Sequence, residues 1–392
     1  MIILFCAYDR PGHIASGPNA WIQRLIPDLR ERYGLNIHTF FIYSGNKEDC
    51  PTLSYFINQN LPIIHLNRDE LPYVEDQVKY LLKLVKKEKI TVVVANVVIP
   101  AFYAGKYLKR FDIPVIGVLH SHDAFHKGVL KKFIHGNKED QFSAVVSVSE
   151  YIEKIRKSNE NNIPNYVIPC GTPLTKNEAQ WNDDGALKVI YAGRLVVEAK
   201  QIIKLTHAFC EASKLDDRLF FNIFGDGDGD EENSIKEIIQ SRNCRKQVQL
   251  NKALPPSAII QKIAEHQVFT LMSDYEGMPL ALMEAMSCGV VPVCLEEASG
   301  VNEIIEHGKN GFIVKDRLED YQRHLQLLIE KPSLWKEMSI NAKKTIEEKY
   351  SAEITHAKWV DLFNNHASIK TKKMIIPLNI IINSDLLYYG DN

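Results

Sequence analysis

Short apolar runs with the look of strands alternate with amphipathic helical runs along most of the chain, and they do so in two separate sets. That alternation is the signature of a parallel sheet covered on both faces, because each parallel crossover needs a dozen or more residues and usually a helix. The first set predicts strands over residues 2–7, 37–43, 92–95, 115–119, 144–148 and 167–168, with helices over 18–32 and 74–88 among the connections. The second predicts strands over 188–192, 219–224, 248–250, 268–272, 291–295 and 312–314. Between them, residues 172–185 are rich in Thr, Asn, Asp, Gly and Pro and read as a linker. A chain of 392 residues is long for one core, which agrees with two domains of nearly equal size.

Composition narrows the class. With 45% hydrophobic and 24% charged residues the chain reads as an ordinary soluble globular protein. A net charge of −2 argues against a general nucleic-acid binder. Seven cysteines without a C-x-x-C pair fit a reducing cytoplasm and give no zinc site. The first strand meets Asp9 and Arg10 too soon for a signal sequence, and nowhere do 18 consecutive apolar residues occur. The lysine-rich stretches 83–89 and 127–134 read either as solvated helix faces or as a peripheral contact with anionic lipid. Residues 374–382 are apolar and strand-like; an edge strand, a partner contact and a terminal extension all stay open.

The most informative stretch runs from Glu276 through Gly277, Met278, Pro279 and Leu280 to Glu284. It follows an apolar strand with a loop and then a helix opened by proline, so Glu276 precedes the helix and Glu284 rides on it. A loop at the carboxyl end of a parallel strand, followed by a helix N-terminus, is where open α/β sheets bind ligands. Carboxylates there suit sugar hydroxyls, which donate hydrogen bonds to them. Upstream, the strand over 188–192 ends in Gly193 and Arg194, with Lys200 six residues later. Two such cations can grip a diphosphate and stabilise it as a leaving group without a metal; the plainer alternative pairs Arg194 with Glu198. The strand over 219–224 runs into Gly225-Asp226-Gly227, where glycines let the backbone approach a base or ribose. Asp226, Asp228, Asp230 and Glu237 imitate a calcium loop, but Glu231 stands where that loop needs glycine.

Taken in order, these segments resemble the donor-binding signature of family 4 retaining glycosyltransferases, of the GT-B fold and the glycosyl transferases group 1. The likeness covers most of 188–314, including 298–305 and 307–312, and the amino half more loosely. Lys200 lies one residue later than in the commonest version and is followed by Gln201 rather than glycine. The resemblance implies that Glu276 holds the donor sugar, Glu284 the ribose, and Arg194 and Lys200 the departing diphosphate, with Gly193, Gly225, Gly227, Gly277, Met278, Pro279 and Leu280 lining the donor site. In the amino half it implies a glycine loop near the phosphates. Gly12 and Gly17 flank His13 and Ser16 there, and of the family's paired glycines only Gly17 is matched. It also implies a histidine facing the transferred sugar; His120 matches best, with His122 as competitor. A zinc set of His120, His122, Asp123 and His126 is the metal alternative, and a structural histidine the plainest one. Ser149 reads as a helix N-cap.

The resulting expectation is an α/β chain of two Rossmann-like domains facing a central cleft, an acceptor domain over 1–175 and a nucleotide-sugar domain over 186–350. A crossover helix over 351–368 returns to the first domain, and 369–392 form an extension. The expected activity is metal- and cofactor-free transfer of a hexose from a UDP- or GDP-sugar to an acceptor hydroxyl. The expected setting is cytoplasmic polysaccharide, glycolipid or other glycoconjugate synthesis, with no nucleic-acid partner, an unidentified glycan, lipid-linked or small-molecule acceptor, and a peripheral membrane contact left open. A sugar-nucleotide epimerase and a non-catalytic nucleotide-sugar binder are the competing readings.

Overall fold

The computed structural model describes residues 1–12, 16–157, 162–227, 229–296, 299–366 and 372–382. His13, Asp228 and Ala298 of the motifs above lie outside the described residues, as do 367–371 and 383–392 of the terminal stretch.

The chain divides into two compact units: residues 1–169 with 355–392, and residues 170–354. The sheet of unit 1 contains β1 (Ile2–Asp9), β2 (Asn36–Tyr43), β3 (Ile63–Asn67), β4 (Val92–Ala95), β5 (Val115–Leu119), β6 (Ala144–Ser147) and β7 (Asn165–Val167). The order is β3-β2-β1-β4-β5-β6-β7, and every pairing is parallel. The strand order reverses between β1 and β4, so the crevice of this unit opens beyond their carboxyl ends. β3 is absent from the sequence reading because it is an edge strand with no fully buried residue and an exposed His65; a two-sided apolar run never appears.

Unit 2 contains β8 (Leu187–Ala192), β9 (Leu219–Phe224), β10 (Val248–Asn251), β11 (Val268–Leu271), β12 (Val291–Leu295) and β13 (Phe312–Val314). Their order is β10-β9-β8-β11-β12-β13, again all parallel, with the reversal between β8 and β11. The Gly193-Arg194 loop and the loop carrying Glu276 follow those two strands, and therefore leave the sheet at its switch point.

Two expectations are corrected. Residues 170–185 are part of unit 2 and not a free linker. Ala179 N–H donates to Cys288 O (2.8 Å), Asn182 Nδ2 to Gln267 Oε1 (2.9 Å), and Trp181 packs against Trp335 with ring centroids 5.4 Å apart. Polar, proline-containing composition marked the stretch as irregular, and irregular chain can still be packed. Cys210 and Cys244, 34 residues apart, are paired as a disulfide within unit 2, a pairing no spacing rule finds; Cys6, Cys50, Cys170, Cys288 and Cys294 are buried and lie outside any disulfide.

The helix Ala352–His366 crosses from unit 2 into unit 1 near residue 354. Its Trp359 and Phe363 pack on Phe5, at centroid distances of 5.8 and 6.1 Å, and Trp359 also meets Trp21 at 5.4 Å. All four rings are buried, each worth about 2–3 kcal/mol of apolar burial, so the helix is integral to the core of unit 1.

Candidate active site

In unit 2 the loops beyond the strands are laced together by backbone bonds. Gly193 N–H donates to Phe224 O (3.0 Å), Leu195 N–H to Asp226 O (2.9 Å) and Gly225 N–H to Asn251 O (3.2 Å). This continues the sheet ladder past β8, β9 and β10 and brings main chain against main chain. A Cβ added to Gly225 would stand 2.1 Å from Gly193 O, and one on Gly227 2.9 Å from Leu195 O. The close approach that demands glycine at 225 and 227 is thus between the two loops themselves. Asp226 secures the far side, its Oδ1 accepting from Ala253 N–H (3.2 Å).

The Gly193-Arg194 turn rests on Tyr191, which the sequence reading passed over. Its ring is fully buried and its hydroxyl donates to Arg194 O (2.7 Å). Burial, and secondarily the charge of Glu276, push the phenol's pKa up, so it stays protonated as a donor. The Arg194 side chain is exposed and has no ion-pair partner among the described residues; the alternative pairing with Glu198 is not formed.

Lys200 and Glu276 meet. The ammonium of Lys200 donates to Glu276 Oε1, which also accepts from Ser273 Oγ (2.6 Å), and both charged side chains are mostly buried. Their two loops are strapped together a second time. Gln201 occupies the left-handed region (φ 51°), the place where the family pattern has glycine, and its amide donates to Asp274 Oδ2. Arg317 holds the other oxygen of Asp274 at 2.6 Å and reaches Met272 O at 2.9 Å, while Asp274 N–H donates to Ala199 O (2.9 Å). Gln201 therefore replaces glycine's conformational freedom with a side chain that gains a partner.

Beyond Glu276, Gly277, Met278 and Pro279 are buried, and Pro279 caps the helix Leu280–Ser287 in extended conformation. A Cβ on Gly300 would lie 2.2 Å from Gly277 O, so the downstream Ser-Gly turn packs on this loop. Glu284 sits on the buried face of that helix, 8% exposed.

The chemistry-bearing residues of unit 1 gather at strand ends too. Asp9 ends β1 with its carboxylate buried; Oδ2 accepts from the N–H groups of Thr52 and Leu53 (both 2.8 Å) and Oδ1 from Asn19 Nδ2 (3.1 Å). Beyond β4, Val97 is held at φ 50°, a strained conformation for a β-branched residue, beside the fully buried Asn96. His120 follows β5 and donates from Nε2 to Asn96 Oδ1 (2.6 Å), with its ring and that of Trp21 in a T-shaped contact, centroids 5.2 Å apart. Burial lowers its pKa to about 3, so the imidazole is neutral. His122 is half-buried, 3.4 Å from Tyr151 OH. Asp123 caps the helix Ala124–Val129, accepting from His126 N–H (2.9 Å) and Nδ1 (2.8 Å). Of the four residues of the zinc alternative, His120 and His122 are bonded to Asn96 and Tyr151 while Asp123 and His126 bond each other, and among the described residues no metal-binding group assembles. Gly17 opens the helix Gly17–Glu31 with open space around its Cα, and Ser149 caps the helix Glu150–Arg156 through Ile152 N–H (3.2 Å).

Residues 175–345 match the family described as Glycosyl transferases group 1. The GtfA subunit of the UDP-N-acetylglucosamine–peptide N-acetylglucosaminyltransferase of Streptococcus agalactiae is 29% identical over 155 residues, 40% of this chain and 29% of the relative. The poly(ribitol-phosphate) alpha-N-acetylglucosaminyltransferase of Staphylococcus aureus is 24% identical over 296 residues, 74% of this chain and 58% of the relative. The chain therefore spans less than two thirds of either relative. Among solved structures, Anabaena Alr3699/HepE in complex with UDP aligns with a TM-score of 0.74 at 16% identity, covering 93% of this chain and 100% of that one. Pneumococcal GtfA in complex with UDP and GlcNAc aligns with a TM-score of 0.74 at 14% identity, covering 93% and 99%. The fold is GT-B. The family match lies within the second unit.

Proposed function

We propose that the chain is a retaining glycosyltransferase that moves a hexose-type sugar from a nucleotide diphosphate donor to an acceptor hydroxyl in glycoconjugate synthesis. The observation that carries this reading is the Lys200–Glu276 pair, at the switch point of the unit that matches the family. Without donor, each charge satisfies the other. With donor, sugar hydroxyls donate to Glu276 and the β-phosphate accepts from Lys200, so one preformed pair becomes two recognition contacts. Arg194, free of ion pairs among the described residues, adds a second cation to the diphosphate. Glu284 is assigned to the ribose, and His120 and Gly17 to the sugar and phosphates, on the family resemblance.

In the reaction the acceptor oxygen bonds to the anomeric carbon on the face that the diphosphate leaves. The C1–O bond breaks, its electron pair stays with the nucleotide, and the acceptor proton passes to a phosphate oxygen. Lys200 and Arg194 stabilise the developing charge by fixed electrostatics, with no metal ion required. A UDP-sugar is the preferred donor, because the two relatives named above are N-acetylglucosaminyltransferases and both aligned structures hold UDP.

The test is a thermal-shift and turnover panel of UDP-, GDP- and ADP-sugars in the presence of EDTA. Stabilisation by UDP and UDP-N-acetylglucosamine, with UDP released when an acceptor glycan is added, supports the reading. Return of an isomerised sugar nucleotide without acceptor would replace it with an epimerase. Absence of both binding and turnover in folded protein would overturn it.

A further inference from the structure

Residues 372–382 lie on the surface of unit 1 and join neither sheet. Lys372 N–H donates to Phe111 O (3.4 Å) and its ammonium pairs with Asp112 (3.0 Å), Lys79 Nζ donates to Leu378 O (2.9 Å), and Ile381 N–H donates to Tyr107 OH (3.3 Å). The segment is thereby tied to the helices Val74–Lys87 and Ile99–Leu108 through its backbone and one ion pair. Its side chains divide. Met374 is 7% exposed and anchors the segment inward, while Ile375, Leu378 and Ile381 are 71%, 87% and 75% exposed. Among the described residues these are the three most exposed large apolar side chains, and they occupy one stretch of seven residues. Such a cluster on a fixed backbone signals a surface that is covered in use.

The surrounding charge says by what. On the helix Val74–Lys87, Lys79, Lys83 and Lys86 recur at helical spacing, forming a stripe that starts at the lysine touching Leu378. Lys373 extends the same sign along the segment itself. Among the described residues Lys83, Lys86 and Lys373 have no ion-pair partner. Of the acids on and beside this helix, Glu75 and Asp76 lie in its first turn, away from Lys83 and Lys86, and Glu88 and Asp112 are committed to Lys87 and Lys372. A second copy packed through this face would set lysine against lysine, which disfavours self-association. Exposed aliphatics beside unpaired lysines match the boundary of a bilayer carrying anionic headgroups, where apolar insertion and charge attraction act together.

We propose that this face of unit 1 is a docking surface for an anionic lipid membrane. Ile375, Leu378 and Ile381 enter the headgroup–acyl boundary, and Lys83, Lys86 and Lys373 meet lipid phosphates. The proposal is independent of the transferase reading, and its test uses no activity measurement.

The experiment is co-sedimentation of the full chain with vesicles of phosphatidylcholine alone or with about 30% phosphatidylglycerol, at about 50 and 300 mM salt. The expected result is binding to the anionic vesicles that weakens about tenfold or more at the higher salt, with little binding to neutral vesicles. Ile375→Ser with Leu378→Ser and Ile381→Ser, and separately Lys83→Glu with Lys86→Glu, are each expected to lower binding at least about tenfold at unchanged thermal midpoint. Equal binding to neutral vesicles, no binding at low salt, or full binding by both variants would overturn the proposal. So would sedimentation equilibrium showing a dimer that the triple-serine variant disperses while vesicle binding persists; that outcome assigns the patch to a second copy.

Discussion

At the carboxyl ends of β8 and β11 the Lys200–Glu276 pair is charged and partly open to water, whereas at those of β4 and β5 the Asn96–His120 pair is neutral and buried. Lys200 and Glu276 hold each other in a geometry fixed by Ser273 and by the Gln201–Asp274–Arg317 strap. His120 is an uncharged imidazole wedged between Asn96 and Trp21. On the proposed function, the contrast matches what the two parts of a donor ask for. A diphosphate carries charge and needs cations able to change partner, while sugar hydroxyls are neutral and are ordered best by rigid, desolvated donors and acceptors. On that reading unit 2 supplies the charged contacts and unit 1 the neutral ones, next to the left-handed Val97.

The largest effect should come from breaking the charged side of this comparison. Glu276→Ala and Lys200→Ala are each expected to lower kcat by about a hundredfold or more, at least about 2.7 kcal/mol of transition-state stabilisation. The double variant should be little worse than either single one, because removing one partner already strands the other. Steady-state kinetics with the best donor check this. Independent, additive losses would show that the pair seen without donor has no part in the reaction. On the neutral side, Asn96→Ala is expected to cost about tenfold in kcat, since His120 stays but its ring loses the acceptor that orients it. No inflection near pH 6.5 should arise from His120 in the pH–rate profile, because its pKa of about 3 leaves it neutral across the working range. An inflection that vanished in His120→Gln would show the imidazole to be charged in function.

A smaller effect separates the strap from the pair it supports. Gln201→Gly removes the bond to Asp274 but also relieves the left-handed strain, so stability should stay within about 1 kcal/mol of the parent. The loop carrying Lys200 then loses one tether, and kcat should fall severalfold with KM for the donor nearly unchanged. A variant with parental kcat would reduce Gln201 to a loop residue that happens to find a partner.

Legibility followed the same division. The charged site was readable because its parts are close in sequence and sit on sheet-end loops with glycine and proline punctuation: Glu276 and Glu284 flank one helix start, and Gly193, Arg194 and Lys200 share one loop. Eleven of the strands that build both sheets were readable as apolar runs, and β7 was displaced by one or two residues. β3 escaped because an edge strand need not be apolar on both faces. What stayed hidden depends on tertiary approach. Tyr191 looks like any buried strand residue until its hydroxyl is seen under Arg194 O. Asn96 lies 24 positions from His120, and Asp274 73 from Gln201. Gly225 was read for a ligand, and its nearest steric neighbour is another loop's carbonyl.

The gentlest way to sharpen the comparison uses pH on stability, because each unit holds a buried histidine whose pKa burial depresses strongly. Burial lowers His120 in unit 1 to about 3 and His266 in unit 2 to about 4. His266 is locked as a neutral tautomer, Nδ1–H donating to Lys262 O (2.7 Å) while Nε2 accepts from Asn222 Nδ2 (3.1 Å). In the unfolded chain both take a proton below about 6.5, and in the native protein neither does until much lower. The unfolded state therefore binds more protons as pH falls, and stability that is complete above pH 6.5 is lost toward pH 4. Each imidazole contributes a slope of at most about 1.4 kcal/mol per pH unit. Urea unfolding at pH 7 and pH 5 should show the parent weakening, with His120→Gln and His266→Gln each removing a share of the difference. If only His266→Gln flattens the dependence, His120 is protonated more easily than its buried packing implies, and the contrast between the charged pair of unit 2 and the neutral His120–Asn96 pair of unit 1 fails.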